Sequence, residues 1–229
     1  MSYILHYAPD NASLIVRLAL DSIGAPYETV LVDRARQEQR GAAYRQLNPN
    51  GLIPTLETKD GAIFETGAIL LWLVDTHRAF GPAHDQPGRG DFLKWLFFCA
   101  NTLHPHMQML FYPQKLVGGD TRDQQRVIDG TQRTILQDLD TLEAAAGTVF
   151  GTDTPTVIDM YLACLLRWSA VYGPDDRAWF RLAKWPQLAQ ICARMDALPA
   201  TVCAQSAEGL GPTPFSAPQR ANPPEGSAL

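Results

Sequence analysis

Apolar and polar positions in the first fifty residues alternate between the two periods that are typical of strands and helices. Tyr3 to Tyr7 is a run of strand formers, and Ser13 to Ile23 repeats apolar residues at helical spacing. Tyr27 to Val32 is rich in β-branched residues, and Arg36 to Leu47 is polar with a moderately helical pattern. This part of the chain therefore predicts a β-α-β-α unit.

A hairpin and a third helix follow that unit. Ile53 to Thr58 and Ala62 to Phe64 are predicted strands, and the Asp60-Gly61 pair between them is a strong hairpin signal. Thr66 to Arg78 is the next helical segment. A crossover helix joins parallel strands, whereas a hairpin adds an antiparallel pair. Residues 1–79 are thus expected to form a thioredoxin-like α/β domain around a four-stranded mixed sheet.

The rest of the chain carries helical patterns with no strand pattern between them. Residues 80–89 are rich in Gly, Pro, His and Asp and are predicted to be a linker, so residues 90–208 are expected to form an all-α domain. The predicted helices are Gly90–Phe111, Arg122–Ala146, Thr156–Val171, Asp175–Ala183 and Trp185–Ala197. Residues 209–229 are Pro-rich and short of apolar side chains, which predicts an irregular tail.

Composition and charge narrow the classes of protein. Hydrophobic residues make up 46% of the chain and charged residues 19%, which is typical of a folded protein and excludes intrinsic disorder. The formal net charge is -5 and the basic residues are scattered, so nucleic acid is not an expected partner. The N-terminus does not resemble a secretory signal, and no apolar stretch approaches the roughly 20 residues that span a bilayer. We expect a cytoplasmic protein with no membrane partner.

Cysteine and histidine spacing gives no indication of a metal site. The four cysteines are widely separated and form no C-x-x-C motif, so small apolar side chains in a reducing compartment are expected. His104 and His106 are two residues apart, and positions two apart on a helix do not share a face. We therefore expect neither a disulfide nor a metal.

Three motifs, in the right order along the chain, resemble those of the soluble glutathione transferases. Asn48-Pro-Asn-Gly-Leu-Ile-Pro54 is similar to the family's N-P-x-G-x-[IV]-P, and Glu65-Thr-Gly-Ala-Ile69 to its E-[ST]-x-A-I. Thr156-Val-Ile-Asp159 resembles the capping motif of the helical domain, which we assign to folding. The resemblance implies a glutathione transferase-like fold, with a thioredoxin-like domain followed by an all-α domain and glutathione as the co-substrate.

Two of these motifs predict how glutathione is held. The resemblance implies a cis peptide bond between Ile53 and Pro54, which would turn the Ile53 backbone toward the extended backbone of the ligand. Thr66 would donate to the γ-glutamyl carboxylate at a helix N-terminus, and Glu65 would accept from the ligand's ammonium group. Leu52 stands where many relatives carry a polar or basic residue. The alternative is structural: a proline that opens a strand, and residues that cap their own helix.

In the family, the turn between the first strand and the first helix carries the group that activates the glutathione thiol. Activation means lowering the pKa of the thiol, because the thiolate is the nucleophile. Ala12 takes the place of the cysteine of one bacterial class, and Asp10 or Asn11 falls at the serine of other classes. The candidate catalytic donors are therefore Asn11 and Ser13, ranked nearly level. Either residue could instead cap the first helix.

The resemblance places a second substrate between this turn and the first long helix of the helical domain. Aromatic and polar side chains there suit a small apolar electrophile. The residues predicted to line this pocket are Tyr7, Asn101, His104, Met107, Tyr112 and Trp168. For Trp168, an ordinary position in the core is the alternative.

These observations lead to one functional prediction with two alternatives. The chain is predicted to be an enzyme that activates the glutathione thiol for attack on a small apolar electrophile. A glutathione-dependent disulfide or peroxide reductase is the first alternative, and a non-catalytic glutathione-binding scaffold is the second. The resemblance also implies a homodimer and a role in detoxification.

Overall fold

The computed structural model describes residues 2–173 and 177–228. The predicted β-α-β-α unit and hairpin build one sheet, and the later part of the chain is helical. The four strands of that sheet are β1 (Tyr3–Tyr7), β2 (Tyr27–Leu31), β3 (Thr55–Thr58) and β4 (Gly61–Phe64). The predicted fold class, a mixed sheet with helices followed by a helical part, is confirmed.

The sheet has the strand order β2-β1-β3-β4. β1 runs parallel to β2 and antiparallel to β3, and β3 runs antiparallel to β4. Thr55, the first residue of β3, pairs with His6 on one side and with Phe64 on the other. The segments that follow β1, precede β3 and follow β4 therefore meet at one end of the sheet.

Three helices accompany the sheet: α1 (Ser13–Ile23), α2 (Ala42–Leu47) and α3 (Thr66–His77). The predicted helix from Arg36 to Leu47 is wrong in its first half. Only a single 3₁₀ turn forms at Glu38–Arg40, and Gly41 is extended with φ -67° and ψ 153°. None of the residues in this turn is buried, so no tertiary packing stabilises a helix there.

The remainder of the chain supplies seven α-helices within the described residues: α4 (Arg89–Phe98), α5 (His104–Phe111), α6 (Gln114–Val117), α7 (Thr121–Ala145), α8 (Val157–Val171), α9 (Pro186–Asp196) and α10 (Pro199–Glu208). A π-helical turn at Cys99–Leu103 joins α4 to α5, so the long helix predicted there is continuous apart from this widening. A Cβ added to Gly67 of α3 would lie 3.0 Å from the Ala100 Cβ, which explains the glycine at this close approach.

The helix predicted from Asp175 to Ala183 is wrong. Asp175 and Asp176 lie outside the described residues, and two 3₁₀ turns follow, at Arg177–Trp179 and Leu182–Lys184. Arg181 between them is extended, with φ -139° and ψ 105°. The two short turns bring the Phe180 ring against the Trp185 ring, with centroids 5.8 Å apart.

α10 is missing from the sequence prediction because its apolar face consists of small residues. Ala200, Thr201 and Ala204 are buried where α10 packs on α1. α1 also packs on α3 and α8, so it is the main link between the sheet and the helical part. Among the described residues, no helix has the length and apolar character needed to cross a membrane.

Residues 209–228, the C-terminal segment, are irregular as predicted and fold back on the molecule. Gly209 has a φ of 63°, and its carbonyl accepts from the Asn222 N–H at 2.9 Å. A Cβ on Gly209 would lie 2.0 Å from the Asn222 carbonyl oxygen. Arg167 of α8 donates to the carbonyls of Pro214 and Gln219, each at 2.9 Å. Backbone contacts thus hold the segment in place.

Candidate functional site

The segment before β3 presents an unused stretch of backbone. The Ile53–Pro54 peptide bond is cis, as the resemblance implied. The carbonyl of Leu52 accepts from the Tyr44 hydroxyl and the Asn48 amide, both at 2.7 Å, which fixes the loop while the Leu52 side chain stays 52% exposed. The N–H and C=O of Ile53 have no hydrogen-bond partner in the part of the chain that the structure describes.

The segment after β4 begins α3. Glu65 has a φ of 72° and an exposed side chain, and Thr66 is buried. The first backbone hydrogen bond of the helix runs from the Ile69 N–H to the Glu65 carbonyl, so the N–H groups of Thr66, Gly67 and Ala68 keep no partner among the described residues. Free N–H groups at a helix N-terminus form an anion site.

Thr66 is also tied to the helical part. Its side chain lies beside Tyr161 of α8, whose hydroxyl lies 2.9 Å from His104 Nδ1. Burial raises the pKa of Tyr161 well above its usual value and lowers the pKa of His104 to about 4. His104 is therefore neutral at physiological pH, and this chain of contacts fixes the start of α3.

The turn after β1 separates the two candidate donors. The Ser13 hydroxyl is fully buried, donates to the Ala8 carbonyl at 3.0 Å and accepts from the Ala8 N–H at 3.2 Å. Asn11 is only partly buried, and its side-chain amide has no partner among residues 2–173 and 177–228. The N–H groups of Asn11, Ala12 and Ser13 also lack acceptors there. The turn therefore offers the Asn11 amide and the start of α1, with Ser13 closing the loop behind them.

Four of the six residues predicted to line a second pocket are packed in this structure. Tyr7 is 2% exposed, Met107 is fully buried against the Ser169 hydroxyl, and Trp168 is 5% exposed. His104 is engaged with Tyr161 as described. Tyr7 is covered by Glu225 of the C-terminal segment, Met107 packs against Ser169 of α8, and Trp168 donates to Asp10 of the turn after β1. That these side chains line a second substrate pocket stays a prediction.

Asn101 and Tyr112 are the two predicted pocket residues that remain reachable. Asn101 is exposed on the π-helical turn. Tyr112, which follows α5, is partly buried and accepts from Arg34 Nη2 at 3.1 Å. The second guanidinium nitrogen of Arg34 donates to the Ala228 carbonyl at 2.8 Å.

The C-terminal segment lies directly on the end of β1. The Tyr7 hydroxyl donates to the Glu225 carboxylate in a short hydrogen bond. Burial and this carboxylate raise the pKa of Tyr7 above its usual value. A Cβ on Gly226 would lie 2.8 Å from Leu31 and 3.3 Å from Pro9, so the segment packs closely over both strand ends. It covers the region where the sequence predicts the second substrate.

Sequence reasoning missed a buried polar cluster behind the turn. Asp10 accepts hydrogen bonds from Arg167 and Trp168, and its N–H donates to Glu208. Arg17 donates from Nε to Glu208 Oε1 at 2.7 Å. A signal in the sequence is Arg167, a charged residue in the second half of the mostly apolar α8.

The histidines at 104 and 106 do not share a ligand. His106 Nδ1 lies 2.6 Å from Asp138, whereas His104 contacts Tyr161. Within the described residues no group of three or more His, Cys, Asp or Glu side chains could hold a metal ion.

Comparison with known proteins adds a family context to this geometry. The family described as glutathione S-transferase, N-terminal domain, matches residues 12–76. The family described as glutathione S-transferase, C-terminal domain, matches residues 125–194.

Individual relatives span most of the chain. A glutathione S-transferase of Xanthomonas campestris pv. campestris is 29% identical over 75% of this chain and 84% of the relative. A maleylacetoacetate isomerase of Rhizobium meliloti is 30% identical over 83% of this chain and 91% of the relative. A solved sphingomonad glutathione S-transferase complexed with glutathione is 27% identical, with a TM-score of 0.74, and the match covers 91% of this chain and 100% of that structure.

Proposed function

The chain belongs to the glutathione S-transferase family, and we propose that it activates the thiol of glutathione for transfer to a small apolar electrophile. The main support for this proposal is the register of the sheet. Because Thr55 pairs with both His6 and Phe64, three segments with unused polar groups lie at one end of the sheet. A tripeptide thiol needs such a set: a backbone partner, an anion site and a donor for sulfur.

Binding of glutathione is assigned to the segments around β3 and α3. The free N–H and C=O of Ile53 suit the backbone of the ligand's cysteinyl residue, which would add as a short antiparallel strand. The γ-glutamyl carboxylate would accept from the free N–H groups that begin with Thr66, and Glu65 would accept from the adjacent ammonium group. The neighbouring Leu52 offers only its exposed apolar side chain to the rest of the ligand.

Activation of the thiol is assigned to the turn after β1. The Asn11 amide would donate to the sulfur, and the unused N–H groups at the start of α1 add the positive end of the helix dipole. Both stabilise the thiolate, so the proton leaves to water. The sulfur then forms a bond to the electrophilic carbon as the leaving group departs. Ser13, the other predicted donor, supports the turn in this proposal.

A second candidate is glutathione-dependent isomerisation of an unsaturated carboxylate. Arg34 favours this candidate. Its guanidinium contacts the Tyr112 hydroxyl and the Ala228 carbonyl, and none of the ion pairs among the described residues includes Arg34. It is thus available for a substrate carboxylate. In this reaction the thiolate adds to the double bond, the resulting single bond rotates, and the thiolate leaves again. A relative named maleylacetoacetate isomerase is consistent with this candidate.

One set of assays tests these functions side by side. Purified protein is given glutathione with a chlorinated nitroarene, a mixed disulfide of glutathione, an organic peroxide, or a cis-unsaturated dicarboxylate. Turnover of the nitroarene supports the leading proposal. Turnover of only the disulfide or the peroxide identifies a reductase, and turnover of only the dicarboxylate identifies the isomerase. Glutathione binding with no turnover indicates a scaffold, and absence of binding contradicts the proposal.

We also propose that the protein is a cytoplasmic homodimer that acts in detoxification. Apolar side chains remain on its surface, including Phe97 at 47% and Leu116 at 55% exposure, and a subunit interface would cover such residues. Its four cysteines are free, which suits a reducing compartment. Light scattering at micromolar concentration should give twice the 25.3 kDa mass of the chain. A monomer mass would contradict the dimer.

A further inference from the structure

The carboxylate of Asp10 is held by four hydrogen bonds from α8 and the residue that follows it. Arg167 donates from Nε at 2.8 Å and from Nη2 at 2.7 Å, one bond to each carboxylate oxygen. Trp168 Nε1 donates at 2.9 Å and the Tyr172 hydroxyl at 2.5 Å. Asp10 is 4% exposed and Arg167 is fully buried. The carboxylate is thus saturated with donors, and the pair is shielded from water.

The backbone of Asp10 is held from the other side. Its φ of 48° is unusual for a residue other than glycine, and such backbone strain persists only where the surroundings fix it. The Asp10 N–H donates to Glu208 Oε2 at 2.8 Å, and Glu208 is fully buried against Arg17. α8 and α10 therefore grip one residue of the β1–α1 turn on both its side chain and its backbone.

The gripped residue directly precedes Asn11, the proposed sulfur donor. The conformation of Asp10 sets the direction in which Asn11 and the first N–H groups of α1 point. Strained backbone of this kind concentrates at functional sites, where it holds groups ready for the reaction. If the Asp10–Arg167 ion pair only joined two parts of the fold, a positive φ at Asp10 would not be needed. Its position next to the proposed thiol donor therefore favours a role in positioning that donor.

We propose that Asp10, docked on Arg167, is a positioning residue for thiol activation. The carboxylate touches neither substrate nor sulfur; it orients the turn so that the Asn11 amide and the start of α1 converge on one point. Arg167 is neutralised by Asp10, so its charge is not itself the partner of the thiolate. This inference rests on the proposed function, because it specifies how the same turn is aligned.

The test uses Arg167→Lys, which keeps the positive charge but loses the bidentate hydrogen bonding to the Asp10 carboxylate. The pKa of the bound glutathione thiol is measured by the ultraviolet absorbance of the thiolate, and glutathione affinity by calorimetry. We expect the thiol pKa to rise by about one unit, so that turnover at neutral pH falls about tenfold and recovers at higher pH. Affinity should stay within about twofold, since Ile53 and Thr66 are unchanged.

Two further variants separate positioning from stability. Asp159→Asn weakens the capping of α8 at its far end, so it lowers the melting temperature without touching the turn. It should leave the thiol pKa unchanged. Trp168→Phe removes one donor to Asp10 and keeps a smaller aromatic ring. It should raise the thiol pKa by less than Arg167→Lys, and it remains informative where the lysine variant fails to fold.

The outcomes distinguish this inference from the proposed function. A wild-type protein that binds no glutathione, or binds it without lowering the thiol pKa, contradicts the proposed function. A wild-type protein that lowers the thiol pKa, with Arg167→Lys and Trp168→Phe lowering it equally well, overturns the positioning role alone. We expect a raised thiol pKa in Arg167→Lys and Trp168→Phe, and an unchanged thiol pKa in Asp159→Asn.

Discussion

Tyr7 donates its phenolic hydrogen to the carboxylate of Glu225, a residue 218 positions later in the chain. Tyr7 ends the strand that leads into the turn proposed to activate the thiol, and Glu225 belongs to the C-terminal segment. The contact closes the molecule over the region where the second substrate is expected. Together with the bond from Arg34 to the Ala228 carbonyl, it fastens the end of the segment at two points.

Loss of this contact should loosen the C-terminal segment. Glu225→Ala removes the acceptor of the Tyr7 hydroxyl, and one net hydrogen bond contributes about 1 kcal/mol. We expect amide hydrogen exchange in residues 219–228 to become about fivefold faster. Glu225→Gln is the matched control, because its amide oxygen still accepts from Tyr7, and it should exchange much like wild type. Equal exchange in all three proteins would contradict a fastened segment.

Asn11 and Ser13 should respond to alanine in opposite ways. Asn11→Ala removes a side chain with no protein partner among the described residues, so turnover should fall while the melting temperature stays near wild type. Ser13→Ala removes both bonds to Ala8, so stability should fall by about 1–2 kcal/mol with a smaller effect on kcat. Steady-state kinetics and urea unfolding of both variants check this. A fully active Asn11→Ala variant would rule out the assigned donor.

Thr66→Val should weaken glutathione binding. The Thr66 hydroxyl would donate to the γ-glutamyl carboxylate, and a hydrogen bond to a charged group contributes about 1.5–3 kcal/mol. The Kd should therefore rise about tenfold or more even though the backbone N–H remains. Tyr161→Phe is the control: it removes the α8 hydroxyl that lies beside Thr66 but keeps the Thr66 hydroxyl. Calorimetry should give that control a Kd close to wild type. If both variants bind glutathione equally weakly, the contact between Thr66 and Tyr161, and not a bond from the Thr66 hydroxyl to the ligand, determines the affinity.

Asp159 should contribute more to the free energy of unfolding than an ordinary helix-capping residue does. It is 2% exposed and accepts from the Gly151 N–H at 2.6 Å and from Thr156 at 2.8 and 2.9 Å. Asp159→Ala should lower the free energy of unfolding by about 2–4 kcal/mol. Asp120→Ala, at the exposed start of α7, should cost about 1 kcal/mol or less. Chemical unfolding of the two variants measures the difference, and equal losses would contradict it.

His104 should make the fold sensitive to acid. Burial lowers its pKa from 6.5 to about 4, so between these values the unfolded chain takes up a proton that the folded chain does not. Stability from this residue is therefore complete above pH 6.5 and declines as the pH falls toward 4, by up to about 3 kcal/mol. His104→Gln keeps a group that can bond to Tyr161 and should flatten that part of the curve. Urea unfolding across this range tests it, and parallel curves would refute it.

Local patterns were sufficient for most of the fold and for the motifs proposed to bind glutathione. Strand and helix periods located β1, α1 and the hairpin, and the Ile53–Pro54 and Glu65–Thr66 motifs follow directly from short stretches of sequence. The predictions failed where tertiary contacts decide. The predicted helix beginning at Arg36 has nothing to pack its first half against, and α10 uses alanines that carry too little hydrophobic signal.

The inner arrangement of the site could not be predicted because its partners are distant along the chain. Asp10 and Arg167 are in contact but lie 157 positions apart in the sequence, and Tyr7 and Glu225 lie 218 positions apart. No period or spacing connects such pairs. The burial of Met107 and Trp168 has the same origin, since their partners, Ser169 and Asp10, are 62 and 158 positions away.

The pKa of the glutathione thiol bound to the wild-type protein and to Asn11→Ala tests the central claim most directly. The thiolate absorbance is followed with pH, and S-methylglutathione, which has no thiol, supplies the baseline. We predict a wild-type pKa clearly below the roughly 8.5 of a free thiol, and a pKa in Asn11→Ala that is shifted back toward that value. A wild-type thiol that titrates like free glutathione, or an unchanged value in the variant, would contradict thiol activation by this turn.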